Sequence, residues 1–334
     1  MAISRSQLVK ELEPGLNALF GLEYKRYENQ HAEIYTNETS DRAFEEEVML
    51  SGFGNAQVKA EGAGVSFDDA QETFTARYSH ETVALAFAIT EEAIEDNLYD
   101  RLASRYTKAL ARSMSNAKQV KAVEPLINGL PGVDTFKSGD GESLFGTAHP
   151  TVAGTFSNTL ATQADLNETS LEQSMIDIAA ITDERGLRVA ARGVKMIIPS
   201  ELQFTAERLM KSQGRTGTAD NDINAIVSMG MVPQGYRVNN YLTDTDAFFI
   251  KTDAPNGFKY FERTPLSTSM EADFDTGNMR YKARERYAFG FSDPRAVFGS
   301  PGAKANNCSF FFAKLNLPPR IANKKKPTLE RGLY

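Results

Sequence analysis

One cysteine, Cys308, and three histidines, His31, His80 and His149, are all that the chain offers in thiol and imidazole chemistry. A single thiol excludes an internal disulfide framework, and imidazoles this scattered form no Cys/His cluster at metal-ligand spacing. Long apolar runs are missing too. The longest, Val83-Ala-Leu-Ala-Phe-Ala-Ile89, falls far short of the ~20 residues that span a bilayer, so no membrane helix and no membrane partner is expected. The start, Met1-Ala-Ile-Ser-Arg-Ser-Gln, turns polar at once and lacks a secretory h-region, which predicts a chain that stays in the cytoplasm. No GxxxxGKS or GxxxxGKT phosphate loop, GxGxxG after a strand, GxSxG elbow or HExxH helix occurs. Gly62-Ala-Gly64 and Gly139-Asp-Gly141 are isolated GxG pairs and read as turns. Neither cofactor nor metal is therefore expected.

What is present is a globular composition. Of 334 residues, 41% are apolar and 24% charged, a balance that buries a core and excludes collagen, rods and long disorder. Net charge is −7 but uneven: residues 303–334 hold seven bases (Lys304, Lys314, Arg320, Lys324, Lys325, Lys326, Arg331) against Glu330, leaving −13 on residues 1–302. An acidic body argues against a duplex-wrapping protein, because affinity for phosphates comes from concentrated Lys and Arg. Only the tail reads as a possible nucleic-acid contact, and Lys324-Lys-Lys326 reads equally as solvated chain.

Periodicity orders the elements. Ser4 or Ser6 caps a first helix with the stripe Leu8, Leu12, Leu16, Leu19 and Phe20, which Pro14 is expected to kink or restart. From Glu45 to Ser79 the helical period gives way to glycines and to the alternation Phe74, Ala76, Tyr78, a long β-excursion. The apolar parity flips at Val83, Leu85, Phe87 and Ile89, which predicts a bend near 79–82 and a strand entering a core. Thr90 caps the next helix. Its stripe Ile94, Leu98, Leu102, Tyr106, Leu110 and Met114 runs toward Pro125, a rod of about 50 Å at 1.5 Å per residue. Residues 126–166 are rich in turn residues. The pattern then predicts a helix over 168–185, a strand at 194–198, a Ser200–Gln203 capping box, a short helix at Asp222–Met229 and strands at 236–241 and 246–251. In 266–287 acids Glu271, Asp273 and Asp275 precede Thr276-Gly277-Asn278, and bases Arg280, Lys282, Arg284 and Arg286 follow it. This pattern predicts a hairpin with an acid-base ladder on one face.

Side chains able to do chemistry stand alone. His80 lies at a bend and His149 before Pro150; either could act as a general base only with a carboxylate partner, which the sequence does not point to. Cys308 beside Phe310-Phe-Phe312 has no basic neighbour to activate it, and Asp68-Asp69 and Asp244/Asp246 read as solvated turns.

The order of these parts, with Ala88-Ile-Thr-Glu-Glu-Ala-Ile-Glu-Asp-Asn-Leu98 before the long helix, Gly141-Glu-Ser-Leu-Phe-Gly-Thr-Ala-His-Pro150, and Met196-Ile-Ile-Pro-Ser200, resembles the major capsid protein of tailed bacteriophages. That is the Hong Kong 97-type fold, shared with encapsulin shells, and the Mu-like head subunits are the most similar. The resemblance spans about residues 1–300. It implies an α+β chain with an N-terminal arm (1–44), an extended β-loop (45–80), a peripheral domain with the spine helix and β-sheet (81–125 and 257–302), and an axial α/β domain (126–256). A basic tail (303–334) has no counterpart.

It further implies a non-enzymatic major capsid protein that self-assembles as pentamers and hexamers into an icosahedral head around double-stranded DNA. The expected location is the virion, assembled in the host cytoplasm. Portal, scaffolding or decoration proteins are possible partners, and DNA would be touched weakly and without sequence preference. Gly52, Phe53, Gly54, Lys59, Gly62, Gly64 and Phe67 of the extended loop would contact a neighbouring subunit, and Ile94, Leu98, Leu102 and Leu110 would form the spine-helix core. Some relatives join a loop lysine to a neighbour's asparagine; Lys59 is available, but no family motif surrounds Asn256 or Asn278, so crosslinking is not expected. The alternatives are an encapsulin-type compartment holding protein cargo, or a small-molecule enzyme using His149.

Overall fold

The computed structural model describes residues 5–90, 99–131, 133, 136–214, 222–273 and 277–303, with side chains from residue 14 onward except 99–102 and 272. Helix α1 (Arg5–Arg26) leads through a 3-10 turn to strand β1 (Thr36–Thr39). A hairpin of β2 (Phe44–Leu50) and β3 (Glu72–Ser79) follows, then β4 (Glu81–Ile89) and the 30-residue helix α2 (Tyr99–Asn128). Beyond α2 come the short hairpin β5 (His149–Thr151) and β6 (Gly154–Phe156), helix α3 (Glu168–Ala180), β7 (Gly193–Ile198), helices α4 (Gln203–Lys211) and α5 (Ala225–Met229), β8 (Tyr236–Val238) and β9 (Phe248–Thr252). The long strands β10 (Phe258–Ala272) and β11 (Met279–Phe291) and the short β12 (Val297–Ser300) close the chain.

Two four-stranded sheets organise the core. The first, in the order β1-β10-β11-β4, is antiparallel except for the parallel β1/β10 edge; the second runs β12-β9-β7-β8. Strict alternation along β11 buries Met279, Tyr281, Ala283, Glu285 and Tyr287 and exposes Arg280, Lys282 and Arg284. Helix α2 covers the buried face, and α1 lies on α2 through Leu16 and Phe20, which pack with Ala103, Leu110, Ala111 and Met114. A second cluster, around Leu171, Ile178, Met196 and Phe298, fills the space between the other sheet and its helices.

Several sequence expectations change. Pro14 does not break α1, because it lies on the exposed side where water satisfies the carbonyl left without a donor. Helix α2 likewise continues one turn past Pro125 to Asn128, and the start expected for it after Thr90 falls on residues 91–98, outside the described residues. The buried stripe of α2 is Ala103, Thr107, Leu110, Met114, Gln119, Ala122 and Leu126, rotated from the expected one, so that Tyr106 is 47% exposed. Small residues let α1 and the sheet approach, which favours the alanine face over the tyrosine. In β4, Leu85 shares a face with Val83, Phe87 and Ile89 but is 46% exposed, the least covered of the four.

Helix α3 ends at Ala180 rather than 185, where Thr182 bridges Arg188 around Gly186 (φ 82°). Its N-cap is Asn167, boxed with Ser170. Ser200 forms no box: it opens a 3-10 turn, and its hydroxyl donates to the Glu201 carboxylate. Asn224, not Asp222, caps α5. Among the described residues, the charge ladder of the β10/β11 hairpin has a single charged rung. The register sets Glu271 opposite Arg280 and Asp273 pairs with Arg280, whereas Lys282 faces Ser269 and Arg284 faces Ser267. The acids sit too near the tip to reach bases further down the strand.

Candidate inter-subunit surface

The β2/β3 hairpin leaves the body at a fixed base. Tyr78, buried on β3, meets Phe261 edge to face with ring centroids 4.8 Å apart, and its hydroxyl shares a hydrogen bond with Ser292, which in turn donates to Glu47. Lys259 pairs with Glu38 at 3.2 Å and with Glu47. Burial works against the Lys259 charge, but the two carboxylates outweigh it and hold the ammonium above its ordinary pKa. Gly139 passes under β3 so closely that a Cβ there would stand 2.7 Å from the Thr75 carbonyl oxygen, which seats the 137–143 loop beneath the hairpin.

Beyond that base the chain is solvent-facing. Every residue from Asn55 to Glu72 is exposed, including Val58, Val65 and Phe67, the last at 96%; Phe53 is 62% exposed. Four large apolar side chains on one excursion, with no cover among the described residues, are the kind of exposure that marks an interaction surface. The loop nevertheless has defined internal contacts. The Ser51 N–H donates to the Gln71 carbonyl, and the Gly54 N–H donates to Asp68 Oδ2 at 2.7 Å. That Gly54 bond, and after it the Arg185 guanidinium, holds the Asp68 carboxyl below the usual range. Arg185 also donates to the Asp69 carbonyl, clipping the returning limb to the loop after α3. Gly62, at φ +78°, occupies the left-handed position of the Ala60–Ala63 turn at the far end, where a side chain would be strained. Lys59 is exposed beside that turn, Gly64 follows it, and Gly52 bends the outgoing limb at φ +64°.

Of the residues expected to form a spine-helix core, Leu110 is buried against α1 and the first sheet. Leu102 lies on α2 with its side chain outside the described set, and Ile94 and Leu98 lie outside the described residues.

His149 has the carboxylate partner that the sequence did not point to. Its Nδ1 lies 2.7 Å from Asp140 Oδ2 and its Nε2 3.2 Å from Asn158 Oδ1, while Phe156 stacks on the ring. Asn158 is itself oriented by donating to the Leu144 and Pro294 carbonyls and accepting from the Gly146 N–H. With 0% exposure and both nitrogens engaged, this imidazole has no atom to present to a substrate; it locks the 138–158 loops together. Arg295, over the Phe156 ring at 4.3 Å and paired with buried Glu184 at 2.7 Å, extends the same lock to the 182–184 loop. Among the described residues His80 shares a hydrogen bond with Ser40, 3.0 Å away, and burial followed by Arg286 lowers its pKa. Among the described residues no group of three or more His, Cys, Asp or Glu side chains could hold a metal, and no helix is long and apolar enough to cross a membrane.

Sequence reasoning passed over two features of this surface. The Asp68–Arg185 clip joins residues too far apart in sequence to be read as a pair. Helix α2 also carries six bases and no acid from 101 to 123, a run visible in the sequence yet masked by the chain's acidic total.

A family model described as phage capsid protein matches residues 72–300. The chain belongs to the phage capsid protein family. Solved structures agree on the fold of this phage capsid protein. The capsid of an empty GTA particle matches with a TM-score of 0.53 at 12% identity, covering 82% of this chain and 89% of that one. The capsid of the cyanophage P-SCSP1u matches with a TM-score of 0.52 at 10% identity, covering 81% and 87%. A search of curated proteins gave no match. Membership makes the chain a structural component of a capsid.

Proposed function

We propose that this capsid protein assembles with copies of itself, as pentamers and hexamers, into a closed icosahedral head of Mu-like type around double-stranded DNA, in the host cytoplasm. In this reading residues 1–44 are the arm, 45–80 the loop laid on a neighbour, 81–125 and 257–302 the peripheral domain with α2 as spine, and 126–256 the axial domain. Residues 303–334 are an appended basic tail. The carrying observation is the hairpin loop. Its apolar residues Phe53, Val58, Val65 and Phe67 are exposed at the end of a well-anchored two-stranded stem, an arrangement that gains stability only when a second molecule covers it. A tiling subunit collects many modest contacts of this kind, which repetition around a shell makes strong.

Deleting Gly52–Asp69 tests this reading. The expected product is a body with near-unchanged thermal stability that forms no shells by electron microscopy and sedimentation. Shells at wild-type yield from the deletion would overturn the reading, and shells filled with protein instead of nucleic acid would overturn the DNA enclosure.

A further inference from the structure

The outward face of α2 carries Arg105, Lys108 and Arg112, all exposed, on a helix whose opposite face is buried against α1 and the first sheet. These positions follow one another by three and four residues, so they share one face and lie about 4.5 and 6 Å apart along the axis. None of the three takes part in an ion pair among the described residues. Beside them α1 and α2 enclose a cleft of about 420 Å³ in which Lys108 and Arg112 meet the polar side chains of Tyr27, Ser113 and Asn116. The one acid there, Glu23, is already engaged by Arg26 at 3.6 Å and by the Tyr27 hydroxyl.

We infer that this face of α2 binds the phosphate backbone of nucleic acid without reading its sequence. The inference deepens the proposed enclosure of DNA and rests on it. Charge decides the class of ligand. In a chain of net charge −7, three neighbouring cations with no acid partner among the described residues make a local excess of positive charge. A polyanion with a charge about every 3.4 Å per strand offers a partner to each of them at this spacing. Ala109, Ser113 and Asn116 lie between the bases, and the large apolar side chain exposed beside them is Tyr106, at 47%. Arginine and lysine with hydroxyl and amide donors around them are the groups that take phosphate oxygens. The opposite side of the same domain serves as the contrast. There Arg280, Lys282 and Arg284 are also exposed, but Arg280 pairs with Asp273 and has Glu271 opposite it, which leaves Lys282 and Arg284, opposite Ser269 and Ser267, as two cations rather than three.

Fluorescence anisotropy of a mixed-sequence 30-base-pair duplex, titrated with the full chain between 50 and 200 mM salt, tests this directly. Losing three phosphate contacts removes about a 40-fold share of the salt dependence, so Arg105→Gln/Lys108→Gln/Arg112→Gln should weaken with salt that much less steeply than wild type. At 150 mM salt its affinity should be on the order of 100-fold lower. The equal charge change Arg280→Gln/Lys282→Gln/Arg284→Gln should leave the slope near wild type, and Arg105→Lys/Arg112→Lys should bind within a few-fold. Lys108→Gln alone, which removes one exposed side chain, should take away about 3.5-fold of the salt dependence and covers the case where the triple variant does not fold.

An unchanged slope in the α2 variants, or an equal loss in the sheet variant, overturns the inference. So does normal duplex binding by an α2 triple variant that no longer forms shells, which would make the face a protein contact. Shell yield from the wild-type chain is scored separately, so failure to enclose DNA and failure of this face to bind it give different results.

Discussion

The ring of Tyr78 lies against the backbone of Gly290, and a Cβ built on that glycine would stand 2.7 Å from Tyr78 Cε1. Gly290 cannot retreat, because it is held in register opposite Lys259 in the first sheet. Gly290→Ala should therefore cost about 1–3 kcal/mol through overpacking. Calorimetry should show the melting temperature lowered by several degrees; an unchanged value would mean the ring swings clear.

The loop aromatics predict a separation of stability from assembly. Phe53 and Phe67 touch little within their own chain, so Phe53→Ser/Phe67→Ser should change unfolding free energy by no more than about 0.5 kcal/mol. Shell formation, followed by light scattering, should fall sharply. A large loss of stability would place these side chains in a core instead.

The rotated stripe of α2 makes a paired test. Leu110→Ala, at a buried position, should lower stability by about 2–5 kcal/mol, whereas half-exposed Tyr106→Ala should cost about 1 kcal/mol or less. Urea titration of both variants distinguishes this face from the one that periodicity suggested.

His31 should impose an acid limit on stability. Burial, and then the Lys118 charge, lower its pKa to about 4, although Gln119 holds its Nδ1 in a hydrogen bond. Because the folded state refuses a proton that the unfolded state takes near pH 6.5, this contribution is complete above pH 6.5 and drains away as pH falls toward 4. The loss amounts to about 3 kcal/mol. Urea titrations at pH 7 and pH 4.5 should show a smaller drop in His31→Asn than in wild type.

Much of the fold was legible because strong local signals coincide with it. The alternation of Met279 to Tyr287 marks β11, and the capsid resemblance of the segments around residues 88, 141 and 196 agrees with the family match. The errors have common physical causes. Pro14 and Pro125 were given the weight they carry in an isolated helix, whereas solvent at one and a helix end at the other accommodate them. Tyr106 shares a helical stripe with Leu110, but close packing of α1 selected the face bearing Ala103 and Ala111. The hairpin ladder failed because charge order along two strands does not fix which rungs the acids reach. The His149–Asp140–Asn158 lock and the Arg185 clip arise from loops meeting in space, and neither leaves a periodic trace.

The first sheet takes its strands from residues 36–39, 81–89, 258–272 and 279–291. Strand β4 thus has no neighbour to pair with until nearly the whole chain has been made. At 5–20 residues per second, roughly 10–40 s separate the emergence of β4 from that of β11. During that interval Val83, Phe87 and Ile89 stay uncovered on an unpaired edge, beside a loop that exposes Phe53, Val58, Val65 and Phe67. Such long-range closure is slow and open to premature association. The subunit's greatest exposure to misassembly therefore falls during its own synthesis, when copies made on one message lie close together.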